Sequence, residues 1–144
     1  MAVPVTQFVA LLTEAGLLTP AEIEAFQKSL PPEKLAADDA QEFARELVRQ
    51  QKITSYQATA VYQNRGRLLH FGQYTVLDKL GQGGMGTVYK ARSRRMNRVV
   101  ALKVMSKAAI KSPDAVKRFL REVEAAARLI HPNIVAAHDA DGHG

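Results

Sequence analysis

Four glycines fall within Gly81-Gln82-Gly83-Gly84-Met85-Gly86, and the residues on both sides favour extended backbone. Glycine at this density lets the main chain approach a ligand closely and aims several N–H groups at phosphate oxygens. The following residues decide how such a loop is used. Thr87, Val88 and Tyr89 continue as a strand, whereas a dinucleotide-binding turn opens a helix and places an acid about 20 positions later. No acidic residue stands between Asp78 and Asp114, and the Gly-Lys-Ser or Gly-Lys-Thr of a Walker loop is absent. What remains is strand, glycine-rich turn and strand, with Val88 able to pack over an adenine ring. A plain flexible hairpin turn is the simpler alternative.

Tyr74 to Leu80, Gly86 to Ala91 and Arg98 to Met105 read as three strands, and the segments between them are short enough for antiparallel hairpins. Lys103 ends the apolar run Val100-Ala101-Leu102. A lysine at a strand end ordinarily faces solvent; downstream of a glycine loop it can instead reach nucleotide phosphates, if a carboxylate on the next helix steadies it. Ser112, Pro113 and Asp114 start that helix, Val116, Phe119, Leu120, Val123, Ala127 and Ile130 line one face, and His131-Pro132-Asn133 stop it. Glu122 borders the apolar stripe and Glu124 turns towards solvent, which favours Glu122 without removing Glu124. Ile134 to Ala137 begins a further strand, and His138-Asp139 reads as a surface turn.

Residues 1–65 have a helical pattern instead. Gln7 to Glu14, Pro20 to Leu30, Ala40 to Arg49 and Ser55 to Asn64 are short and partly amphipathic. Thr19 with Pro20 and Glu22 is a capping-box start, and Thr54 with Gln57 repeats it without the proline. A shift of 35 residues superimposes Phe8 on Phe43, Leu12 on Leu47, Leu18 on Ile53, Glu22 on Gln57 and Phe26 on Val61. Two helical hairpins joined through Pro31 to Asp39 are expected to pack as one small unit, since neither alone buries its apolar face. With no histidine cluster or glycine-rich turn, the unit points to regulation, docking of a regulatory protein or self-association rather than chemistry.

The net charge of +6 is uneven: residues 1–70 carry 7 basic and 8 acidic side chains, residues 71–144 carry 13 and 6. Such a basic stretch attracts phosphate of any kind, but it holds neither a base-reading helix nor an aromatic stacking platform, which argues against nucleic acid. There is no cysteine, no run long enough to span a bilayer and no signal-peptide pattern, so a soluble cytoplasmic protein is expected.

Leu80 through Val88, Val100 through Lys103, Arg118 through Glu122 and His131 through Val135 occur in the order that resembles a bacterial serine/threonine protein kinase of the eukaryotic-like type. The resemblance implies an α+β fold, in which a helical extension similar to those of planctomycete-type kinases precedes an incomplete N-terminal kinase lobe of antiparallel strands plus one helix. It implies domains at 1–66 and 71–144. It also implies that Gly81, Gly83 and Gly86, with Leu80, Gln82, Gly84 and Met85 between and beside them, cover the phosphates of ATP. Val88 and Ala101 would enclose the adenine, Lys103 bind phosphate and Glu122 pair with Lys103. The family's catalytic-loop aspartate and its magnesium ligands fall later than this sequence reaches, so Mg2+ and protein substrates belong to a longer parent and this piece is expected to be catalytically silent.

Overall fold

The computed structural model describes residues 2–83, 86–105, 111–114, 116–118, 121 and 134–138. The protein is α+β and divides into two compact units, Met1–Leu69 and His70–Gly144.

The first unit contains α1 (Val5–Ala15), α2 (Pro20–Lys28), α3 (Pro32–Leu35), α4 (Gln41–Arg49) and α5 (Ser55–Tyr62), followed by a 3-10 turn at Gly66–Leu69. Both capping boxes form. The Thr19 hydroxyl accepts the Glu22 N–H at 3.1 Å while the Glu22 carboxylate accepts the Thr19 N–H at 2.8 Å. Thr54 and Gln57 make the same exchange at 3.1 and 2.9 Å. The connection expected through Pro31 to Asp39 holds the short α3, because Pro32 sits at its first position and Glu33 and Lys34 suit the two ends of its dipole.

The internal repeat reappears in the core. Phe8 and Phe43, related by the 35-residue shift, meet edge to face with ring centroids 5.9 Å apart, and Phe26 closes on Phe43 at 5.1 Å. Leu12 and Leu47 are both wholly buried. Each such side chain contributes about 1.5–3 kcal/mol by leaving water, and neither hairpin supplies enough of them alone. Even the backbone repeats: Gly16 after α1 has φ 68°, and Gln51, its partner after α4, has φ 61°. The N-terminal residues are tied in by Val5 N–H to the Ala37 carbonyl and Ala40 N–H to the Val3 carbonyl. Tyr62 adds a bridge, its hydroxyl accepting the Val3 N–H at 3.2 Å and donating to the Asp39 carboxylate at 3.0 Å.

The second unit is a sheet in the order β1 (His70–Phe71), β2 (Tyr74–Gly83), β3 (Gly86–Ser93), β4 (Arg98–Met105) and β5 (Ile134–His138). The first four strands pair antiparallel, and β5 lies parallel to β4. Strand β4 alternates cleanly from Val99 to Val104: Val100, Leu102 and Val104 are buried while Ala101 and Lys103 are only part-buried. Val76 and Ala91 join the buried face, as their cross-strand pairing requires. The far end of the hairpins is locked by Arg94, whose backbone N–H and guanidinium donate to the Gln73 carbonyl and whose guanidinium also reaches the Gly72 carbonyl. The described positions among residues 113–121 are helical.

Candidate functional site

Strand β2 does not stop at Leu80, where a turn is expected to begin. Gly81, Gln82 and Gly83 remain paired, opposite Val88, Thr87 and Gly86. The extension is possible because register shifts between Val76 and Asp78 and between Lys79 and Gly81 insert Leu77 and Leu80 as extra residues. Each such bulge strengthens the local twist and reverses which face the next side chain meets. Together they bring Gly81 onto the row of Val88 and leave Leu80 on the outside, 60% exposed. The Lys79 ammonium donates to the Gln82 side-chain oxygen at 3.2 Å, tying the second bulge to the glycine segment.

The row continues across the sheet. Val88 pairs with Lys103, and Lys103 is in register with Ala136 of β5. Directly opposed residues on antiparallel strands share a face, so Gly81, Val88 and Lys103 stand side by side on the part-buried face. Two positions along β4, Ala101 opposes Lys90 on the same face. The arrangement offers an apolar surface at Val88 and Ala101, ammonium groups at Lys90 and Lys103, and a glycine beside them. A Cβ built on Gly81 would meet nothing within 4 Å, so open space lies over that position.

Gly86 has a different physical role. Its φ is 156°, and a Cβ there would lie 2.0 Å from the Val104 carbonyl oxygen and 3.0 Å from the Met105 Cα. Glycine is required so that β3 can close on β4 next to Lys103, a contact invisible in the spacing of the glycines because the obstructing atom belongs to another strand. The sequence pattern also carries no signal for the two bulges or for the Lys79–Gln82 bond. Gly84, Met85 and Glu122 lie outside the described residues, as do Glu124 and most of the expected apolar helix stripe. Among the described residues, no three acidic or histidine side chains gather as a metal site.

Comparison with known proteins matches residues 74–141 to the protein kinase domain. This stretch is homologous to protein kinases. Serine/threonine-protein kinase PknF of Mycobacterium tuberculosis is 48% identical over 69 residues, covering 48% of this chain and 14% of the relative. PknJ of Mycobacterium bovis is 48% identical over 68 residues, covering 47% and 12%. PknD of Mycobacterium tuberculosis is 46% identical over 69 residues, covering 48% and 10%. The matched stretch thus spans 14% or less of these relatives' lengths. The kinase-homologous region coincides with the sheet unit, whose glycine strand, Val88 and Lys103 all lie inside the match.

Proposed function

We propose that the sheet unit is the nucleotide-holding part of a serine/threonine protein kinase that uses ATP and Mg2+. The observation that carries this reading is the row formed by Gly81, Val88 and Lys103 on one face of the sheet. Val88 and Ala101 take the adenine, with Leu80 at its edge. The backbone of Gly81, Gln82 and Gly83, continuing through Gly84 and Met85 to Gly86, covers the phosphates, and Lys103 neutralises them with Glu122 as its partner. The open space over Gly81 is what a ligand approaching the backbone needs. The metal is assigned to the nucleotide's own phosphates rather than to a protein cluster on this unit.

In the full reaction a serine or threonine oxygen forms its bond to the γ-phosphorus as the bond to the ADP oxygen breaks, while an aspartate accepts the hydroxyl proton. Among the described strand residues Asp78 is the one acid, and its carboxylate already accepts the Lys79 N–H at 2.8 Å. This chain alone is therefore proposed to hold ATP without transferring its phosphoryl group. Calorimetric titration with Mg-ATP tests the first half, and no heat of binding at millimolar ligand would overturn it. Phosphoryl transfer by the chain to a generic protein acceptor above the no-enzyme rate would overturn the second half.

A further inference from the structure

The repeat that relates α1 to α4 and α2 to α5 is uneven at several positions, two of which bear on one place: Val9 corresponds to Ala44, and Ile23 to Ala58. Both differences put a methyl group where the first hairpin has a branched side chain. At that place a groove of about 360 Å3 runs between α4 and α5, with Ala44, Val48, Ala58 and Tyr62 among its lining residues. The Tyr62 hydroxyl is already engaged by Val3 and Asp39, so the ring is what it offers. Missing side-chain volume forfeits packing contacts, and the first hairpin carries larger residues at the matching positions.

The groove has charge as well as shape. Arg45 is its one charged lining residue, is exposed, and makes no ion pair among the described residues. Arg45 also lines the adjoining hollow, with Lys34 and the acids Asp38, Asp39 and Glu42. We propose that the α4–α5 groove docks a peptide segment of a partner protein, which inserts one large apolar side chain between Ala44 and Ala58 and sets a carboxylate against Arg45. A buried apolar anchor beside an arginine is the composition of an energetically dominant contact at protein interfaces. The site is independent of the nucleotide reading, since it uses only the helical unit.

The test is selection of a random displayed peptide library on the full chain, followed by titration of the enriched peptides against the unaltered protein and two variants. The enriched peptides are expected to combine a large apolar residue with an aspartate or glutamate. Ala58→Ile, which installs the first hairpin's own residue, and Arg45→Glu are each expected to weaken binding by about tenfold or more. Thermal melts verify that both variants fold, and if Ala58→Ile does not, Arg45→Glu decides the outcome. Absence of enrichment, enrichment without acidic residues, or unchanged affinity for Arg45→Glu would overturn the proposal. Self-association of the chain that Ala58→Ile abolishes would also overturn it, because the groove would then belong to a second copy.

Discussion

Val88 and Lys103 are direct cross-strand partners on β3 and β4, so an apolar surface and an ammonium share one sheet face at the spacing of a single strand pair. Replacing Lys103 by methionine keeps the apolar stem and removes the charge. A hydrogen bond to a charged group is worth about 1.5–3 kcal/mol, so Lys103→Met should weaken ATP binding by roughly tenfold to a hundredfold. Adenosine binding should barely change, because Val88 and Ala101 remain. Parallel titrations with the two ligands check this, and equal losses would remove Lys103 from the phosphates.

Two glycines of the same motif should respond oppositely to alanine. At Gly86 the new methyl meets the Val104 carbonyl, so Gly86→Ala is expected to cost about 1–3 kcal/mol of stability in the sheet unit. At Gly81 the methyl enters open space, so Gly81→Ala should change stability by less than about 0.5 kcal/mol while weakening ATP binding. Thermal melts without nucleotide distinguish the pair. An undisturbed Gly86→Ala protein would show that β3 and β4 do not meet so closely.

Gln51 holds the left-handed conformation that its repeat partner Gly16 adopts without strain. Gln51→Gly should therefore stabilise the helical unit by about 0.5–1 kcal/mol, the relief of the strained φ outweighing the added freedom of the unfolded chain. Chemical denaturation read by circular dichroism measures it, and a loss of stability would contradict the expectation.

The two capping boxes should differ in acid. The carboxyl of Glu22 is held below its usual range, first by the Thr19 backbone N–H and then by the Thr19 hydroxyl. A depressed folded-state value means a contribution fully present above the unfolded carboxyl range of about 4.3 and lost as pH falls through the lower folded value. The Thr54–Gln57 box has no such titration. Glu22→Gln should thus flatten part of the acid-side decline in melting temperature. Glu46, lowered to about 2 by hydrogen bonds from Arg49 and then Gln50, titrates in both proteins and supplies the common background. Identical acid profiles for the two proteins would deny the Glu22 contribution.

What the sequence determined lies within short stretches of chain. Thr19 and Thr54 announce their helices because a cap is completed by the residue three positions on. Val100 to Lys103 announces its strand because alternation places every second side chain on one face. The paired phenylalanines and leucines of the 35-residue repeat predict a shared core for the same reason: the helical period puts them on matching stripes. Only the tertiary structure decided that β2 carries bulges at Leu77 and Leu80, that Gly81 thereby joins Val88 and Lys103, and that Gly86 is glycine because of the Val104 carbonyl. It also decided that Ala44 and Ala58, which match Val9 and Ile23 in the repeat, both line a groove between α4 and α5. Register, close approach and packing volume depend on atoms many residues away in the chain. Local pattern carries their ingredients, and the folded arrangement sets which of them meet.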